Sequence, residues 1–240
     1  IEWRGRWLAW QELLTQALTA AQQLGDPARL AEILEQSGEL ARLRGDFRAG
    51  VARQEQALAY YRSLGDRLGM GRTLSCLSQQ HLGLSDYRRA EECGREDLEL
   101  LAQVGNQAEW AAGLNNWGLV CSALERWDKA LTAFAQAAAI GVALGDLQRQ
   151  AKAANNRGYV YYWLQRWDEA RASYEAAAAA YESVDDVIHA TSARVNLCRV
   201  LHRQGQIEQA LTLIRQLEPL ARQLSDRVWL AHILNSQGVF

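Results

Sequence analysis

The chain is short of the residues that mark most other protein classes. It holds two prolines in 240 residues, which argues against a loop-rich all-β fold. No apolar run approaches the ~20 residues needed to span a bilayer, and the N-terminus lacks a secretory signal pattern. The four cysteines, Cys76, Cys93, Cys121 and Cys198, form no CxxC pair, so neither a zinc knuckle nor a redox dithiol is signalled. They read as small apolar side chains in a reducing cytoplasm. Twenty-six basic side chains stand against 28 acidic ones, giving a formal charge of −2 and no basic excess to hold nucleic acid. Only Lys129 and Lys152 are lysines, an arginine bias that points to a GC-rich source genome. The chain opens at Ile1 rather than Met, as a segment of something longer would.

Catalytic signatures are missing too. No GxxxxGK[ST], GxGxxG, HExxH or GxSxG occurs. His189, His202 and His232 follow no metal-ligand rhythm. Cys198 and His202, four apart, form only a weak metal signal that a core or surface pair explains better. The expectation is a chain that is not an enzyme and carries no metal and no cofactor.

What the sequence has is a repeat. A turn signal recurs every 40 residues: Gly25-Asp26, Gly65-Asp66, Gly105-Asn106, Gly145-Asp146, Asp185-Asp186 and Ser225-Asp226. A second mark falls midway, at Gly45-Asp46-Phe47, Ser85-Asp86-Tyr87, Glu125-Arg126-Trp127, Gln165-Arg166-Trp167 and Gly205-Gln206-Ile207. Three residues later comes a small side chain: Gly50, Ala90, Ala130, Ala170 or Ala210. Glycine suits a helix C-cap and Asp or Asn the next N-cap, while the intervening stretches are rich in helix formers. The spacing predicts an all-α chain of about twelve helices, the first over residues 3–23 and the last from near Ser225. The boundaries are an N-terminal half-repeat or cap (1–24), repeats at 25–64, 65–104, 105–144, 145–184 and 185–224, and a truncated first helix at 225–240. Gly38, Gly118, Gly158 and Gly238 recur inside helices at a cost of about 1 kcal/mol each, which predicts close approach of a neighbouring helix. Phe47, Tyr87, Trp127 and Trp167 are expected to fill the wedge between helices, and Trp117 and Trp163 to pack between units. Trp3, Trp7 and Trp10 line one face of the first helix, as a core stripe or N-terminal cap, or as a docking face for a neighbouring domain.

Gly158-x2-Tyr161 followed by Ala170, Tyr174 and Ala177, and likewise Gly118, Ala130, Phe134 and Ala137, resemble the tetratricopeptide repeat, covering nearly the whole chain. The period is six residues longer than the usual one of about 34. The proline usual near each unit's end is missing. In the second unit Ser78, Gly94 and Asp97 stand where glycine, a large apolar and a small apolar residue belong, so that unit is expected to be the loosest. The resemblance implies a right-handed superhelical solenoid of antiparallel helix pairs, whose first helices line a concave face.

On that face fall Asn115, Asn116, Asn155, Asn156 and Asn196, with Lys152, Tyr159 and Arg199 beside them and Arg72 and Tyr162 further along. Asparagine is a mediocre mid-helix residue, so its recurrence calls for a role. A carboxamide offers two donors and an acceptor, a match for the backbone of an extended peptide. The alternative is that these side chains only bond between adjacent helices and hold the stack together. The resemblance implies peptide contact at Asn116, Asn156 and Asn196. It also places Lys152 and Arg72 where chaperone-binding repeats clamp a carboxylate, but the partner positions are Ser75 and Asn155, so the full clamp is absent.

The phrases Leu114-Asn115-Asn116-Trp117-Gly118 and Arg166-Trp167-Asp168-Glu169-Ala170 are similar to the repeat arrays of bacterial STAND-type signalling ATPases. That resemblance implies a non-catalytic, cytoplasmic protein- or peptide-binding scaffold. It would be the sensor or regulatory arm of a larger bacterial signal-transduction ATPase, with other domains of the parent chain as further partners. A stand-alone adaptor for a linear peptide is the second expectation. A small-molecule sensor with a pocket between Tyr159–Tyr162 and Trp163 is the third. Neither nucleic acid nor membrane is expected as a partner.

Overall fold

A computed structural model describes residues 2–223, and the side chains of residues 7–219. Eleven helices and no strand occur among the described residues. They are α1 (Glu2–Leu24), α2 (Pro27–Leu43), α3 (Phe47–Leu64), α4 (Arg67–Gly83), α5 (Tyr87–Val104), α6 (Gln107–Ala123), α7 (Trp127–Ala143), α8 (Leu147–Trp163), α9 (Trp167–Glu182), α10 (Val187–Arg203) and α11 (Ile207–Gln223). The expected twelfth helix, from Ser225, lies outside the described residues, as do Gly238 and the side chain of Trp3. No described helix is long and apolar enough to cross a membrane.

The joints explain why the chain breaks where it does. Each helix from α1 to α10 is followed by a residue in the left-handed region: Gly25, Gly45, Gly65, Gly105, Gly145 and Gly205, or Ser85, Glu125, Gln165 and Asp185. At nine of these joints the next amide reaches back five residues to a helix carbonyl, as Asp46 N–H does to Ala41 at 2.9 Å and Arg166 N–H to Tyr161 at 2.9 Å. That bond satisfies a carbonyl the helix end leaves orphaned. The aspartates then start the following helix. Asp26, Asp46, Asp66, Asp86, Asp146 and Asp186, and Asn106, each accept from a first-turn amide through the side chain.

The chain divides into two compact units, residues 1–126 and 127–240. In the first, α2 packs on α3, α4 on both α3 and α5, and α6 on α5, while the first helices α2, α4 and α6 also touch in sequence. In the second, α8 packs on α7 and α9, and α10 on α9 and α11.

The recurring glycines do permit close approach. A Cβ on Gly158 would lie 2.8 Å from the Tyr174 ring, and one on Gly38 would lie 2.7 Å from the Gln54 amide. Each glycine faces the side chain sixteen residues on; Cys198 and Ile214 make the same contact within one apolar cluster. In the second repeat the pair is Ser78 and Gly94, both small and buried, and the Trp117 ring comes over Gly94 at 3.2 Å from where its Cβ would be. Ser78 there donates to the Ala90 carbonyl at 2.9 Å. Two aromatic expectations need correction. Phe47 does lie against Gly83, but Tyr87 is exposed, because its helix end presents it to solvent rather than to a partner glycine. Trp163, the last residue of α8, is also exposed.

Candidate functional site

The first helices carry every residue singled out for binding. On α8, Lys152, Asn155, Asn156, Tyr159, Tyr162 and Trp163 recur at three- and four-residue steps and so share one face. On α10, Asn196, Arg199 and Arg203 do the same. Tyr162 stitches the two helices together. The Arg199 guanidinium stacks 5.0 Å from its ring centre, and Arg203 Nε donates to its Oη at 3.2 Å. The ring also meets Trp167 and Trp163 edge to face, at 5.3 and 6.3 Å between centroids. Tyr159 lies edge to face with Trp163 at 6.1 Å.

This face is open. Tyr159 is 44% exposed and Trp163 55%. Lys152 and Arg199 are exposed, and Asn155, Asn156 and Asn196 are half-buried. The Asn155 Oδ1 is buried with no hydrogen-bond partner among the described residues. Lys152 and Asn156 each have a partner within the fold. Tyr159 and Trp163 form an exposed edge-to-face pair here.

The equivalent face of the other unit is closed. Asn115 is 4% exposed and Asn116 7%. Asn116 Nδ2 donates to Ser75 Oγ at 2.7 Å, bridging α6 and α4. Arg72 is neutralised by Glu35, with Nε 3.2 Å from Oε1. The same carboxylate accepts from the Tyr61 hydroxyl at 2.6 Å, and burial together with that bond pushes the Tyr61 phenol well above its usual range. Two glutamines seal the helices behind this face: Gln54 donates to the Glu35 carbonyl and Gln80 to the Gly38 carbonyl, both at 3.0 Å.

One group in the closed unit is out of character. Asp97 on α5 is 1% exposed, in a place taken by Ala57, Ala137 and Ala177 in three of the other repeats and by Leu217 in the fifth. Gly71 on α4 and Gly113 on α6 make room for it, with its oxygens 3.4 and 3.0 Å from where their Cβ atoms would stand. Neither oxygen has a hydrogen-bond partner of normal geometry among the described residues. Burial pushes its pKa up to about 7; the nearby Ser75 hydroxyl eases the shift and Glu109 adds to it.

Sequence reasoning missed Glu35, Ser75, Arg203 and the exposure of Trp163. Arg203 was legible, because it follows Arg199 by one helical turn. Burial likewise raises the thiol pKa of Cys76 and Cys198 to about 12, in keeping with unreactive packing groups, and all four cysteines are free. Among the described residues no three His, Cys, Asp or Glu side chains converge as metal ligands. What the open face offers is therefore carboxamides, aromatic surface and guanidinium groups.

Comparison with known proteins agrees with this architecture. The family model described as Tetratricopeptide repeat matches residues 109–183 and 149–223. No curated protein matches the chain. Among solved structures, BtubC (BKLC) from P. vanneervenii is similar, with a TM-score of 0.75 and 21% identity over 91% of this chain and 92% of its own. A Rap protein complexed with Competence and Sporulation Factor gives 0.74 and 16%, over 98% and 71%. A signal transduction ATPase with numerous domains (STAND) that carries a tetratricopeptide repeat sensor, from Pyrococcus horikoshii, gives 0.68 and 14%, over 89% of this chain and 34% of that one. At these identities the likeness is one of fold.

Proposed function

Because the chain is an array of tetratricopeptide repeats, we propose that it is a non-catalytic scaffold that binds a protein or peptide ligand along the first-helix face of its second unit. The observation that carries this reading is the open pair Tyr159 and Trp163, flanked by Asn155, Asn156 and Asn196. Exposed clustered aromatics are costly in water and mark contact surfaces, and Trp, Tyr and Arg are the side chains that dominate binding hot spots. The carboxamides supply the donors and acceptors an extended backbone needs. Lys152 and Arg199 border the same face. The similar Rap protein, held in complex with a factor, supports the reading.

The finer assignment is a cytoplasmic sensor or regulatory arm of a larger bacterial signalling ATPase, with ligand binding shifting that protein between off and on states. The support is the similar STAND protein, of which this chain spans about a third. Sequencing the gene on both sides of this segment tests it: an adjoining nucleotide-binding module is expected, and a reading frame without one overturns the arm and leaves an adaptor.

Binding itself is tested by replacing Tyr159 and Trp163 together with alanine. Both are exposed, so the melting temperature should stay within a degree or two. Affinity for a peptide selected on the intact chain should fall about tenfold or more. Unchanged affinity would sink this face as the binding site.

A further inference from the structure

The two described first helices of the second unit have no carboxylate side chain. Helix α8 carries Arg149, Lys152 and Arg157, helix α10 carries Arg194, Arg199 and Arg203, and neither contains Asp or Glu. The acids of this region lie on other elements and are largely spoken for. Asp146 holds Arg149 at 2.8 Å, Glu182 holds Arg194 at 2.6 Å, Glu169 holds Arg166 at 2.6 Å, and Glu175 holds Arg171 at 2.8 Å. Asp168 accepts from Gln204. Arg199 and Arg203 are different: both rest on Tyr162, and neither reaches a carboxylate among the described residues.

Stacking on a tyrosine fixes a guanidinium plane while leaving its outward N–H donors unspent. Arg199, stacked on the Tyr162 ring, and Arg203, held by its Nε on the Tyr162 hydroxyl, stand one turn apart beside exposed Tyr159 and Trp163 and make a preorganised receptor for carboxylates. The closed unit shows what happens when an acid is available: Arg72 folds onto Glu35. On α10 no such acid pairs with Arg199 or Arg203 among the described residues.

We infer that the ligand of this face is an acidic linear peptide segment, whose Asp or Glu side chains pair with Arg199 and Arg203 while an apolar side chain lies on Tyr159 and Trp163. This rests on the peptide-binding reading above and adds the chemistry of the partner. A polyanion such as nucleic acid fits less well. The chain as a whole is slightly negative, which repels a uniformly charged strand more than a segment with only a few carboxylates.

The test uses the full chain, immobilised, to select from a displayed library of random linear peptides. The enriched peptides should be rich in Asp and Glu. A fluorescein-labelled copy should lose about tenfold or more in affinity with Arg199→Gln and Arg203→Gln combined, and should weaken as salt is raised. Both arginines are exposed, so an unchanged melting temperature will separate lost binding from lost folding. Enriched peptides without an acidic excess, or acidic ones indifferent to the double variant, overturn the charge inference and leave peptide binding standing. Labelled oligo-dT that binds through the same arginines and displaces the peptide overturns it in favour of nucleic acid. If no peptide is enriched, the peptide-binding reading itself falls.

Discussion

The two units are built from the same joints and helix pairs, yet their first-helix faces have opposite chemistry. In residues 1–126 the polar groups are spent inward: Asn116 on Ser75, Arg72 on Glu35, and two glutamines on backbone carbonyls. In residues 127–240 the corresponding positions stay open, with tyrosine, tryptophan and arginine at the surface. The basic and acidic residues of α2, α4 and α6 balance, whereas α8 and α10 are basic only. Polar side chains paired with one another across helices hold the stack together, whereas Tyr159, Trp163 and Arg199 present much of their surface to solvent.

Four measurements would break or sharpen that contrast. The largest effect concerns Asp97. Its folded pKa of about 7 lies above the ordinary 3.8, so between those values the native state holds a proton that the unfolded state has lost. A raised carboxyl pKa adds stability at low pH and loses it as pH climbs. The first unit should therefore weaken from about pH 4 to about pH 7 and level off above, by up to about 4 kcal/mol in all. Asp97→Ala should remove the slope and raise the melting temperature at pH 8. A variant melting below the parent at pH 8 would show that the carboxylate is stabilising after all.

Next comes the half-buried ion pair. Glu35→Ala strands the Tyr61 hydroxyl and Arg72 together, and should cost about 2 kcal/mol in thermal unfolding. Arg199→Ala, with no carboxylate to lose, should cost less than about 0.5 kcal/mol. Equal losses would erase the contrast.

The asparagines follow. Asn116→Ala leaves Ser75 unbridged and should destabilise by about 1 kcal/mol with peptide affinity intact. Asn155→Ala with Asn196→Ala should do the reverse, lowering affinity and sparing the melting temperature. The smallest stability change belongs to Trp163→Ala, within about 0.5 kcal/mol by calorimetry, because more than half of that side chain already faces water.

Much of the fold was legible because turn chemistry is local. The predicted first helix, residues 3–23, is observed at Glu2–Leu24, and Gly158 meets Tyr174 as its recurrence implied. Helical periodicity also put Asn115, Asn155 and Arg199 on the first helices. Periodicity tells which way a side chain points but not how near the next helix comes. That is why Asn116 and Asn156 read alike in sequence while one is sealed and the other half-open. It is also why Glu35, 37 residues from Arg72, gave no signal. The burial of Asp97 depends on Gly71 and Gly113, two glycines from other helices whose absent side chains vacate its place.

The uniform joint has an evolutionary consequence. Because nearly every helix ends in the same left-handed residue and the same five-residue back-bond, a 40-residue cassette begins and ends in one geometry. Duplicating or deleting a whole cassette in the gene recreates that junction and asks for no new loop. Recombination can then lengthen or shorten such a protein, and carry a basic, aromatic face to a new place along it, without redesigning any turn.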